Sequence, residues 1–388
     1  MALYLGSQKI CPITEVMGDD SRGDYCVTVI DYDGTILKQD HLNNGDRMYM
    51  PPVPNHSNMT FQGWTCAEGV QYDGTRYYVT VNGASTTVGA YYTTASGKTE
   101  IDIFLAEGQS LTFTCKFNGT KDWGDGTSDS TTSHIYAAPG EYTIKVEATN
   151  WGSTSSSSGT FGQSSASINY SVQAVRVGGN LNTYNYQYAL AYCYGLKYLS
   201  LKSATNTTIG NYFARNCINL QTIIIPAGIK TVGNYAFYYC QQVEYPVVPS
   251  SITAMNTYSF SYLTQARVIR IPNTVSTMGT YAFSSDSSIR TFKIPTSVTY
   301  LNTNLFGLCS ALQYIKFPTN ITSIYGNAFS SDRACTYDFS SYSSVPTLTG
   351  GAFNSIYATA KILVPASLET TWKGATNWVT YANNIIGV

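Results

Sequence analysis

Charge is scarce in this chain. Only 12% of its 388 residues are Asp, Glu, Lys or Arg, and they nearly cancel to a formal net charge of −1. Averaged over the whole chain, that leaves no field to draw in nucleic acid or an anionic membrane. Long apolar runs are missing too, and no stretch approaches the roughly 18 residues of a membrane-crossing helix. The opening MALYLGSQKICPITEV has no basic segment followed by an apolar run, so no secretory leader is expected. Histidine is limited to His41, His56 and His134. None stands beside a Ser or Cys in a nucleophile context, and no two have metal-ligand spacing. Glycine-rich phosphate loops are absent, and the scattered acids define no glycosidase pair. No enzymatic activity and no cofactor are expected. The nine cysteines are odd in number and irregularly spaced, which argues against a disulfide framework and for folding in a reducing cytoplasm.

Tyrosine, by contrast, is abundant at 33 residues. With Ser, Thr, Asn and Gly it gives a composition suited to β-rich domains with many turns and to binding surfaces. The chain also repeats itself. Phe213, Phe237, Phe260, Phe283, Phe306, Phe329 and Phe353 recur at steps of 23 or 24, with Leu190 in the equivalent place upstream. Pro226, Pro249, Pro272, Pro295 and Pro318 follow at 23 each. Two columns sharing one period predict a solenoid, because one such unit cannot bury its apolar side alone. Cys193, Cys217, Cys240 and Cys309 sit three residues before the first apolar strand position. Leu263 and Asp286 take that place in other repeats, so these cysteines read as packed interior residues, not metal or redox groups.

KIPTSVTYLNTNLFGLCSAL (293–312) and IIPAGIKTVGNYAFYYCQQV (224–243) resemble the BspA-like class of leucine-rich repeats. The end, ILVPASLETTWKGATNWVTYANNIIGV, is similar to the cap that closes such solenoids. The repeat near 329–353 departs from the pattern, with Pro out of phase and Cys335 displaced, and predicts an irregular loop. Upstream, Trp123-Gly124-Asp125-Gly126 followed by His134, Tyr136, Gly140 and Tyr142 resembles the PKD type of immunoglobulin-like sandwich. Phe61, Gly63 and Trp64 resemble the small β-repeat of internalin-type surface proteins, and hairpin material around TRYYVTVNG continues it. The expected class is mostly β and multidomain. It comprises an N-terminal arm (1–20), small β modules (21–98), a PKD-like sandwich (99–172) and a solenoid of about eight 23-residue repeats with a C-terminal cap (173–388).

Minor signals read blandly. Asp122, Asp125 and Asp129 fit turn formation better than a calcium site. Arg22-Gly23-Asp24 is a chance tripeptide, and Asn206 and Asn320 mean little as glycosylation sites without a leader. The informative constellation is on the expected sheet. Leu199, Ile223, Ile269, Phe292 and Ile315, with Leu201, Ile225, Val248, Ile271, Ile294 and Phe317, form an inward set. The alternate positions then point outward. They bring Tyr198, Tyr245, Arg270, Lys293, Tyr314 and Lys316 onto one face as candidate ligand-binding residues. Tyrosines and cations on a rigid surface offer stacking, hydrogen bonds and charge at low entropic cost.

These features predict a non-enzymatic binding protein that engages a bacterial surface glycan or protein. The opening MALYLGSQKI is similar to the start of structural proteins of gut bacteriophages. That resemblance implies a virion surface protein whose N-terminal region meets other virion proteins. No nucleic-acid partner and no membrane insertion are expected, and a homo-oligomer is left open. Two other readings remain open: a capsid-decoration or head-fibre protein, and a secreted or cell-surface BspA-like adhesin.

Overall fold

The computed structural model describes residues 3–5, 8–10, 25–31, 36–54, 59–65, 70–81, 86–94, 98–147, 151, 154, 158–178, 187–201, 207–226, 228–244, 246, 248–267, 269, 271–330 and 335–388. The chain forms two compact units, Met1–Ala95 and Ser96–Val388.

In the first unit, strand Tyr25–Ile30 pairs antiparallel with Ile36–Leu42 and parallel with Thr86–Thr94. The last of these pairs with Met59–Thr65, and the register slips between Phe61 and Gly63. Residues three apart in a regular strand face opposite sides. The extra residue of this bulge brings Phe61 and Trp64 together at 5.2 Å between ring centroids. Trp64 joins Val27, Val29, Val79 and Val88 in a small core. The hairpin pairs Gln71–Tyr72 with Tyr77–Thr80. Its turn is held by Asp73, whose Oδ1 accepts from the amides of Thr75 and Arg76.

The second unit is an antiparallel sandwich joined to a solenoid. Strand Thr99–Leu105 pairs with Gly140–Val146 on one side and Val172–Arg176 on the other. The tryptophan-glycine-aspartate motif makes the turn between strands. Trp123 Nε1 donates to Asp129, and the Tyr136 hydroxyl returns to the carbonyl of Trp123. Gly124 is at φ +83°, and a Cβ there would lie 2.6 Å from the Thr143 carbonyl oxygen. No other residue fits.

Val172–Arg176 then pairs in parallel with Tyr198–Ser200, which pairs with Thr222–Ile224. The sandwich sheet therefore runs directly into the solenoid sheet, and one apolar core passes through both. Arg176 lies in this shared region, only 4% exposed. It reaches both oxygens of Asp102 at 2.6 Å and Glu100 at 3.4 Å.

The solenoid makes about eight turns of about 23 residues. Each turn has a strand on one face, such as Thr291–Lys293 or Tyr314–Lys316, and a shorter one such as Thr231–Val232 or Ala254–Met255. All strand neighbours within the solenoid are parallel. The whole inward set expected from the sequence is buried. Phe237, Phe260, Phe283, Phe306, Phe329 and Phe353 stack along the axis with centroids 5.3–6.5 Å apart. Burying each contributes about 1.5–3 kcal/mol.

One position departs from the expected register. The Ala214 amide donates to the carbonyl of Ala236, as the Phe237 amide does to that of Ser259. Ala214 therefore occupies the phenylalanine place, and Phe213 the alanine place before it. That swap is why the step from Phe213 to Phe237 is 24. Cys217, Cys240 and Cys309 each donate from Sγ to a backbone carbonyl of the preceding turn, at 3.1–3.3 Å. Cys335 is buried outside that column, beside strand Thr336–Asp338. The irregular loop expected near it, 331–334, lies outside the described residues. The end is covered by helix Glu369–Gly374 and strand Ile385–Gly387, with Trp372 and Trp378 buried 4.6 Å apart.

Candidate binding surface

The residues expected on the outward sheet face meet different surroundings. Lys293 and Lys316 are exposed and sit side by side on paired strands. Tyr314 is half-buried, its hydroxyl donating to Asp338 Oδ2 at 2.6 Å. Tyr198 is not available for contact. The sandwich extends the sheet past it, beside Arg176, and leaves it 4% exposed. Its neighbours on the same face, Ser200 and Ile224, are buried as well. Tyr245 and Arg270 lie outside the described residues. Among the described residues, then, the predicted ladder reduces to two lysines and one tethered tyrosine.

A more extensive constellation lies on the turn that follows the short strand of each coil. Tyr188, Tyr212, Tyr235, Tyr258 and Tyr281 form a column of nearly parallel rings. Centroid separations are 4.4–5.1 Å, with interplanar angles of 4–15°. All five have φ between 55° and 60°, the left-handed region that costs a residue with Cβ about 1–2 kcal/mol. Four residues further on, a second left-handed column comprises Tyr192, Asn216, Tyr239, Tyr262, Ser285 and Leu308. The left-handed turns let amides point along the solenoid axis. Those of Tyr212, Tyr235, Tyr258 and Tyr281, and of Tyr192, Asn216, Tyr239 and Tyr262, all donate to carbonyls of the next coil. Inter-coil bonds and ring stacking, the latter worth about 0.5–1.5 kcal/mol per pair, offset the strain.

Between the two columns stand Arg215 and Tyr238. The Arg215 guanidinium carbon is 5.5–5.9 Å from the ring centroids of Tyr192, Tyr212, Tyr235 and Tyr238. Its Nε donates to Asn216 Oδ1 at 3.1 Å. Among the described residues no carboxylate pairs with it. Tyr238 lies at 70–85° to Tyr235, Tyr258 and Tyr262. Both faces of Tyr235 are taken by Tyr212 and Tyr258, so it meets Tyr238 through an edge. Burial raises the phenols of Tyr188, Tyr235, Tyr238 and Tyr239, and pushes that of Tyr258 up to about 12. These hydroxyls are hydrogen-bond donors across the whole physiological range.

The surrounding charge is one-sided. Residues 177–388 hold twelve Lys and Arg against five Asp and Glu, whereas 1–176 hold ten against eighteen. Between 177 and 331 only Glu244 and Asp286 are acidic. Glu244 lies 3.9 Å from Arg267, and Asp286 is fully buried. Both features were present in the sequence. The tyrosines recur at steps of 24, 23, 23 and 23, and whole-chain averaging hid the charge asymmetry. Tyrosine is simply not a residue that signals a left-handed turn; Asn216, Asn304 and Asn327 at equivalent places are the cue.

In the sandwich turn the three aspartates are locally engaged. Asp122 accepts from the Gly124 amide, Asp125 from Thr127 and Asp129 from Thr131. His134 stacks on Trp123 and bonds Asp125 at 2.7 Å. The Thr127 hydroxyl, foremost, and His134 hold the Asp125 carboxyl down to about 2. Among the described residues, no group of three or more His, Cys, Asp or Glu is placed to hold a metal ion. Cys115, Cys193, Cys217, Cys240, Cys309 and Cys335 are buried, and burial pushes the Cys115 thiol up to about 12. A thiol so far from ionising is inert.

The PKD domain pattern matches residues 93–161. No curated protein matches the chain. Among solved structures, a leucine-rich repeat protein of Treponema pallidum is similar at 23% identity, over 40% of this chain and 71% of that one, with a TM-score of 0.36. A leucine-rich repeat protein of Bacteroides ovatus is 18% identical over 49% of this chain and 53% of its own, also at 0.36. A leucine rich cell surface protein of Faecalibacterium prausnitzii is 18% identical over 55% of this chain and 83% of its own, at 0.21. Six copies of the BspA type leucine rich repeat region match across residues 183–312 and 279–378, about half of the chain, and the chain belongs to that family.

Proposed function

We propose that this chain is a non-enzymatic recognition protein that holds a bacterial surface, through a glycan or a protein, by its solenoid. The observation that carries this reading is the tyrosine and arginine face. It is large, built on rigid coils and only partly buried. Aromatic rings, phenol donors and a cation set on a fixed scaffold lose little entropy on binding. Stacked tyrosines alone would do for a spacer. The placement of Arg215 among four rings without a carboxylate partner, in the described residues, goes beyond what packing requires.

The setting proposed for it is a bacteriophage particle, met through the N-terminal region. That part rests on the similarity of the opening ten residues to phage structural proteins. The experiment is to add the labelled full chain to a panel of intact gut bacteria and to purified particles of phages infecting them. Strain-selective attachment to cells supports recognition. Stoichiometric association with capsids and none with cells would replace it by a decoration role.

A further inference from the structure

We infer that the ligand is an acidic saccharide, a chain of sugar rings carrying carboxylates, gripped where Arg215 stands between the tyrosine columns. This rests on the recognition reading above and names the chemistry of its partner. Three observations select that chemistry. The first is charge. Arg215 has its Nε occupied by Asn216, and among the described residues no carboxylate answers its terminal amino groups. Between 177 and 331 the acids are Glu244, 3.9 Å from Arg267, and Asp286, which lies in the interior. A guanidinium left without a counter-ion is matched by a planar, two-oxygen anion such as a carboxylate.

The second is the character of the surroundings. Four ring centroids lie 5.5–5.9 Å from one cation, and burial raises the phenols of Tyr235 and Tyr238. A polyphosphate or nucleic acid, charged at every unit, is best met by a row of cations. A single arginine in a field of hydroxyls and aromatic carbons fits a polymer that is mostly neutral, with hydroxyls and C–H faces, and carries an occasional carboxylate. The third is periodicity. The columns repeat every 4.4–5.1 Å along the solenoid axis. A regular polymer can exploit such a repeat, and an irregular protein surface cannot.

The test uses the full chain and four probes of matched length: a glucuronoxylan oligomer, in which few sugars bear a carboxylate, hyaluronan, a neutral malto-oligosaccharide and inorganic polyphosphate. Binding is followed by titration calorimetry at two salt concentrations, and thermal midpoints verify folding. At least one acidic saccharide should bind, with neither the neutral oligomer nor polyphosphate matching it. Arg215→Gln should weaken it about tenfold or more, the scale of one charge-assisted bidentate contact. Arg215→Lys, which keeps charge and stem but loses the fork, should fall between. The double variant Lys197→Gln/Lys361→Gln, at two exposed lysines, should bind as the parent does. Equal binding of polyphosphate, or equal losses in the arginine and lysine variants, would reduce the effect to general attraction and overturn the proposal. So would failure of both acidic saccharides while intact bacteria are still bound, an outcome that leaves the recognition role standing. Failure of cells and saccharides alike removes both.

Discussion

Asp286 occupies the place in its coil that cysteine takes in four others, and it is completely buried. Its Oδ1 accepts from the Leu263 amide at 2.7 Å, and Oδ2 has no partner among the described residues. Burial pushes its carboxyl well above the ordinary value near 3.8, so the folded chain favours the protonated form. The sign follows by linkage: this residue's contribution is fully present below that value and is lost as pH rises above it. A neutral side chain of the same shape avoids the loss. Asp286→Asn should therefore be favoured over the parent more at pH 7 than at pH 4, because it removes the penalty of ionisation. Chemical denaturation at pH 4 and pH 7 measures it. A variant that differs from the parent equally at both would show that burial is not penalising the carboxylate. The cysteine column was legible in the sequence as interior packing. That its thiols bond to carbonyls of the preceding coil was not, because that depends on the rise between coils.

The coil itself shows what a repeat does and does not encode. The 23-residue period, the parallel strands and the inward set all follow from alternation and spacing, and they stand in the structure. The conformation of the turns does not follow, because tyrosine ordinarily avoids positive φ and here adopts it in coil after coil. Phe213 shows another limit. A phenylalanine column read from spacing alone placed it in the wrong slot, and only the cross-coil hydrogen bonds fix the register. The outward sheet ladder was misjudged at Tyr198 because alternation says which side a residue faces, not whether another domain covers that side. At Tyr235, φ is 56° and both ring faces are stacked. Truncation to Ala should cost about 2–3 kcal/mol through lost stacking and burial. Tyr235→Gly should cost about 1 kcal/mol less than Tyr235→Ala, because glycine accepts positive φ freely. Elsewhere in a protein glycine is normally the worse of the two. Denaturation midpoints decide it, and the ordinary order, Ala above Gly, would contradict the strained-turn account.

At the scale of the molecule, the sandwich and the solenoid share one sheet and one core, while the charge of the chain is divided between its two halves. Arg176, bidentate to Asp102 and near Glu100, sits where strands of both parts meet. Arg176→Gln would leave Glu100 buried beside a neutral partner and should cost about 3–5 kcal/mol. Calorimetry should show one transition for residues 96–388 moving as a whole, and two transitions of which only one moves would argue that the parts fold apart. The acid-poor solenoid makes a further demand, that attachment weaken as salt rises, since exposed charges are screened over about 8–10 Å at physiological ionic strength. Recognition of a bacterial surface, as proposed, runs through Arg215 and its tyrosines. The most direct measurement compares attachment of the labelled full chain to intact bacteria with that of a folded Arg215→Gln/Tyr238→Ser variant. Attachment should be strain-selective and should fall about tenfold or more in the variant. Undiminished attachment of the variant, or attachment of neither to any strain, would contradict the proposal.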